Sequence, residues 1–167
     1  MRQFIVGCGL CLVSFSNAWG ELPTVALDDF LSGVDDRCQY SAALEQFRLA
    51  LPDTEQAWAL LPPQLQAASA PFIIEDEVDY QIIALPIRGT WREVPVELIE
   101  FGLGKGNGIH VLVIDFGGSP DRAEAVFGPR VVRSQDLMAN DPDNLTDAFT
   151  DLIIESERAR LVCDLST

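Results

Sequence analysis

The stretch EVPVELIEFGLGKGNGIHVLVIDF, residues 93–116, decides how this chain folds. Two apolar runs flank a segment with glycine at every second position: Gly102, Gly104, Gly106 and Gly108. A dinucleotide-binding loop needs G-x-G-x-x-G followed by a helix whose N-terminus meets the phosphates. Here the spacing is G-x-G-x-G-x-G, and the apolar run after it reads as a strand. A Walker loop is excluded too, because Lys105 is followed by Gly106 rather than serine or threonine. Asn107-Gly108 between two strands is instead a hairpin signal. Residues 93–101 and 109–116 are therefore predicted to be antiparallel strands. The second is apolar on both faces, which places it centrally with helix over at least one side.

Upstream, residues 72–87 alternate through Val78, Tyr80, Ile82 and Ala84 and read as one long strand, closed by a turn at Arg88-Gly89-Thr90. Before it, residues 21–36 form an ordered lead-in. Ser41 to Leu51 has helical spacing ended by Pro52, and Asp53 caps a second short helix stopped by Pro62-Pro63. Residues 64–70 read as a linker or weak helix. Downstream, Ser119-Pro120-Asp121 starts a helix that Gly128 ends, and Val131-Val132 suits a short strand. Asp143 or Asn144 is expected to cap a last helix through Leu145, Phe149 and Leu152. Residues 159–165 close the chain as a strand. The order suits an α+β domain: a mostly antiparallel sheet, with a three-stranded meander plus one or two C-terminal strands, and helices packed on one face.

The first twenty residues read as a secretory signal peptide. Arg2 supplies a positive start, Phe4–Phe15 is a short apolar core, and Ser16-Asn17-Ala18 offers cleavage after Ala18, with Gly20 as the other candidate. Ile5-Val6-Gly7-Cys8 has the letters of a lipoprotein cleavage box, but only seven residues precede the cysteine. Cys8 and Cys11 leave with the leader. Residues 21–167 then form a single domain, expected to be periplasmic or secreted, with no segment long and apolar enough to span a bilayer. Its two cysteines, Cys38 and Cys163, are predicted to pair in an oxidising compartment, tying an early helix to the last strand. Closing so long a loop stabilises by about 4–5 kcal/mol on the chain-entropy model.

The chain carries 26 acids against 11 basic residues, a net charge of −15, and is one unit more negative without Arg2. That balance argues against nucleic acid as a partner. It favours encounter with a basic protein or a cation. The acids Glu75, Asp76, Glu77 and Asp79 lie on the 72–87 strand and Glu93, Glu97 and Glu100 on the 93–101 strand, so pairing of the two would gather several carboxylates on one face. With Trp91, placed at a hairpin corner between Arg88 and Arg92, these residues except Glu93 are the candidate partner-binding set. A solvated sheet face is the plainer account of the same acids.

Catalytic signatures are weak. His110 is the only histidine, so a Ser-His-Asp arrangement has to draw on Ser119 or Ser134 and Asp115, without a G-x-S-x-G elbow. His110 reads instead as a strand histidine satisfied by a neighbour. Asp115-Phe116-Gly117 matches the kinase magnesium triplet in letters alone. Residues 140–144 lack the glycine and final glutamate of a calcium loop. No catalytic residue, metal ligand or cofactor is assigned. The leading reading is a small acidic binding protein that neutralises a basic partner, such as an immunity protein against a toxin or an inhibitor of a cell-wall hydrolase. A module for a small ligand, a cation or envelope assembly is the alternative, ahead of a carboxylate enzyme.

Overall fold

The computed structural model describes residues 22–144 and 147–167. The expected leader therefore lies outside the described residues. The elements run β1 (Val25–Ala26), α1 (Ala42–Ala50), α2 (Thr54–Leu60), α3 (Pro63–Ala67), β2 (Ile73–Asp76), β3 (Tyr80–Trp91), β4 (Val94–Gly104), β5 (His110–Phe116), α4 (Pro120–Ala139), β6 (Phe149–Ile154) and β7 (Ala159–Asp164). The fold is α+β: among the described residues, a seven-stranded, mostly antiparallel sheet and four helices. Strand order is β1-β3-β4-β5-β7-β6, with β2 also paired to β3. Only β1 runs parallel to its neighbour, matching Val25 to Gly89 and Ala26 to Thr90.

The early helices start where the sequence places them. Ser41 Oγ accepts the Leu44 N–H and donates to the Phe30 carbonyl, while Asp53 accepts from the N–H groups of Glu55 and Gln56. Four expectations are corrected further on. First, residues 72–87 are not one strand. The chain folds back at Val78-Asp79, where the Glu77 N–H donates to the Tyr80 carbonyl. Val78 is 88 % exposed, so its place in the alternation did not mark a buried face. Second, the turn is not at residues 88–90. Strand β3 continues to Trp91, and Arg92 and Glu93 make the turn, both at positive φ. Gly89 lies within the strand because Leu27 packs on it: a Cβ there would sit 2.6 Å from Leu27 Cδ1. The 93–116 hairpin is present, and its turn draws its positive φ values from Gly106 and Gly108.

Third, α4 does not stop at Gly128, and Val131-Val132 is not a strand. The helix runs through Gly128 and Pro129 to Ala139. A proline at this depth removes one backbone bond and costs about 3 kcal/mol in a helix interior. The buried stripe Ala123, Phe127, Val131, Ser134 and Met138 spans both sides of the break and offsets that cost. Fourth, the expected last helix is strand β6. Asn144 does not cap a helix: its amide donates to the carbonyls of Met138 and Ala148 and accepts the Ala148 N–H, folding a turn instead. Beyond that turn, Thr150 and Leu152 pair with Cys163 and Leu161 of β7.

Alternation along the strands sends Phe101, Leu112, Ile114, Phe116, Leu161 and Cys163 to one sheet face, where all are buried. Phe127 of α4 lies on it 4.7 Å from Phe116 and 4.5 Å from Trp91, centroid to centroid. Phe47 of α1 meets Phe101 at 6.0 Å. Cys38 and Cys163 form the expected disulfide, though Cys38 lies in the turn ahead of α1 rather than on a helix. Asp35, nearly fully buried, takes Arg92 at 2.8 Å and Arg130 at 3.2 Å, joining the lead-in to the β3–β4 corner and α4.

Phe127→Ala removes the ring shared by Trp91 and Phe116. Denaturant unfolding with the disulfide intact is expected to show a loss of about 3–5 kcal/mol.

Candidate partner-binding face

The other face of the sheet is built by the residues between those of the core. Register places Ile73, Ala84, Glu100, Val113, Val162 and Asp151 in one row across β2, β3, β4, β5, β7 and β6. On one side of it run Glu75, Ile82, Gly102, Val111, Asp164 and Phe149; on the other, Pro86, Leu98, Asp115, Arg160 and Ile153. Ile82, Leu98, Val111, Val113 and Val162 are half-buried, and Ile73, Phe149 and Ile153 at the borders are exposed. An apolar field of this breadth, dotted with charge, is the usual make-up of an interaction surface.

The carboxylates within the field are perturbed. Burial pushes Glu100 above the ordinary range, and the negative charges of Asp115 and Glu75 add to the shift. Burial also raises Asp115, against the opposing pull of Arg160 and Arg158. Arg160 does not reverse it, because its Nε stands 3.9 Å from the Asp115 carboxylate. The same guanidinium donates through Nη2 to Glu155 at 3.1 Å, while its Nε–H is buried without a hydrogen-bond partner. At this end of the face a cleft of about 1090 Å³ opens among Arg88, Glu97, Leu98, Asp115, Gly117 and Arg158.

The predicted set is divided by the structure. Glu75 and Glu100 share the face. Glu97 is the extra residue of the β4 bulge between Val96 and Leu98, and its carboxylate lies over Gly117, where a Cβ would come within 2.5 Å of it. Asp76 has the opposite parity and pairs with Lys105 at 2.6 Å. Glu77 and Asp79 stand in the β2–β3 turn, where their backbone carbonyls accept from Lys105 and Asn107. Trp91 is 1 % exposed and offers no surface at all. The sequence placed it at a corner, but the corner is one residue later and β3 turns its indole into the core.

Asp115, Arg160 and the valines of β5 and β7 were missed as members of the face. The signal for Asp115 was present: one acid in an otherwise apolar strand, opposite Arg160 of β7.

His110 and Asp115 occupy opposite ends and opposite faces of β5, so they do not assemble a triad. His110 Nε2 lies 3.1 Å from Tyr40 Oη, and burial lowers its pKa, which suits a neutral ring accepting the phenol's proton. Burial correspondingly raises the Tyr40 pKa. Ser134 Oγ accepts the Arg37 N–H. Among the described residues, no group of three His, Cys, Asp or Glu side chains is placed to hold a metal ion. No described helix is long and apolar enough to cross a membrane. Comparison of the chain with protein-family models, curated proteins and solved structures finds no match.

A carboxyl whose pKa rises on folding stabilises the fold at pH values below its ordinary value, and that contribution is lost as pH climbs through the raised value. For Glu100 the loss begins near its ordinary 4.5. Glu100→Gln is therefore expected to raise the thermal midpoint at pH 7, with the gap from wild type closing below pH 4.5. Thermal melts across that range check it.

Proposed function

We propose that this chain is an acidic binding protein of an oxidising compartment, periplasmic or secreted, that captures and neutralises a basic protein on its sheet face. The observation that carries the reading is the pair of half-buried carboxylates with raised pKa values, Glu100 and Asp115, among half-buried Leu98, Val111, Val113 and Val162. Left without a partner, these acids remain partly stripped of water and crowded by like charge. A lysine or arginine set between them relieves both penalties, and the surrounding apolar rows supply area to bury. The net charge of −15 steers such a partner toward the surface. The finer architecture of the proposal is a β3–β4–β5 meander with the helices on one face and the partner on the other. Contacts of Phe47 with Phe101 and Phe127 with Phe116, both on the same side, support it. The Cys38–Cys163 disulfide supports the compartment. An immunity protein against a toxin and an inhibitor of a basic cell-wall hydrolase are the two roles that fit.

A second reading rests on the cleft. Its volume suits a small ligand, and Glu97, Asp115, Arg88 and Arg158 give it charges of both signs. Such a module has no need of the valine rows, which is why the protein partner is preferred.

The test uses the disulfide-bonded mature protein, tagged, with envelope proteins of the native host eluted by a salt gradient. A basic protein released at moderate salt and then titrated in pure form is expected to bind Glu100→Arg at least about tenfold more weakly, or about 1.4 kcal/mol. Asp136→Arg, on the exposed side of α4, should bind as wild type does. Equal binding by all three proteins refutes the assignment of the face.

A further inference from the structure

Of the three outer strands of the sheet, the two-residue β1 is short, and β2 and β6 are finished differently. Strand β6 ends in a two-residue turn where the Glu155 N–H donates to the Arg158 carbonyl. Counting back along the antiparallel ladder, Thr150, Leu152 and Ile154 aim their backbone groups away from β7. Two of these outward groups are already occupied. The Thr150 carbonyl accepts Gln135 Nε2 at 2.9 Å, and the Leu152 N–H donates to the side chain of Asp151 at 2.9 Å. Side chains have thus blunted this edge against further pairing.

Strand β2 is finished in the opposite way. The Glu77–Tyr80 pair sets the same alternation, so Ile73 and Glu75 bond toward β3 while Ile74 and Asp76 aim their N–H and C=O groups outward. All four residues of β2 are exposed, Ile73 by 51 % and Ile74 by 47 %. Beside this edge a shallow hollow of about 450 Å³ is walled by Trp58, Pro71, Phe72 and Ile74. Glu75, Asp76 and Glu77 follow directly along the strand, with Lys105 paired to Asp76.

We infer that β2 is a docking edge, at which an extended segment of a basic partner adds as a further strand. Resting on the binding role proposed above, it names how the partner is held. Backbone bonds to Ile74 and Asp76 fix the added strand, and its alternate side chains divide by face. An apolar residue on the helix side enters the hollow at Trp58 and Phe72. Lysine or arginine on the other side meets Glu75, the acid of β2 on that face. A second copy of this chain is a poor occupant, because it brings acids to acids.

The probe is a short synthetic peptide of alternating lysine and valine, titrated by calorimetry into the disulfide-bonded protein. Its twin carries N-methyl groups at alternate residues, which keeps charge and side chains but removes the donors that a ladder needs. Wild type is expected to bind the plain peptide at least tenfold more tightly than the methylated one. Ile74→Pro is expected to lose the same factor, since proline is tolerated where the N–H faces outward from an edge. Circular dichroism and the thermal midpoint show whether that variant is folded, and the methylated peptide needs no variant. Equal binding of the two peptides, or binding of neither, overturns strand addition. The sheet-face reading fails separately, on the captured partner's indifference to Glu100→Arg.

Discussion

The packing of Phe127 between Trp91 and Phe116 is the contact on which the rest of the molecule turns. It commits one sheet face to the core, and the twofold alternation of the strands then gives the other face its composition without further choice. It holds α4 to the sheet on the N-terminal side of Pro129, while Val131, Ser134 and Met138 hold it beyond. A helix with proline at its tenth position persists because both halves are anchored to the same surface. It also draws Trp91 inward, which moves the β3–β4 turn to Arg92-Glu93 and leaves Arg92 free to reach Asp35.

The remaining ties fasten the parts that carry little regular structure. The lead-in before α1 has only β1, two residues long, in the sheet. The Cys38–Cys163 bridge and the Asp35 pairings with Arg92 and Arg130 hold it. Asp35 is the buried member, so losing both arginines would leave its carboxylate desolvated and unpaired, while the arginines themselves keep contact with water. At the far end, the Leu165 and Thr167 N–H groups bond to the His110 and Gly108 carbonyls. The C-terminal residues therefore continue the pairing of β7 with β5, and His110 serves this corner together with Tyr40.

Local rules read much of this correctly. Ser41 and Asp53 cap where a side-chain acceptor precedes a helical stripe, and Asn107-Gly108 marks the hairpin because glycine at positive φ admits few alternatives. The disulfide followed from the count of two cysteines and an expected oxidising compartment. The errors arose where local and distant preferences conflict. Gly128-Pro129 is a stop signal in isolation, and the packing of the buried stripe on both sides of it overrules it. Residues 149–154 have spacing that suits either a helix or a strand, and pairing with β7 decides between them. Within the candidate site, Glu75 and Glu100 share a face with β3 between their strands, and not through the direct pairing that the sequence reading assumed. Glu97 was not legible, because a bulge shifts its parity. Asp76 has the opposite parity to Glu75 in any strand, and Glu77 and Asp79 left the strand when the chain folded back at Val78.

Acids on an apolar sheet face act in two directions at once. They keep the valine rows of one molecule from those of another, since two such faces in contact would bury Glu100 and Asp115 against their own kind. In the proposed binding role they would also select the partner: only a surface that brings cations lets the valines be buried without leaving desolvated carboxylates unpaired. In that role the apolar rows would supply the area and the carboxylates would decide who may cover it, so affinity and specificity would come from different atoms of the same strands. The edges divide the labour in the same way. Gln135 and Asp151 occupy two outward groups of β6, whereas β2, next to the acids, presents its outward groups beside an apolar hollow, which is where the proposed strand would enter.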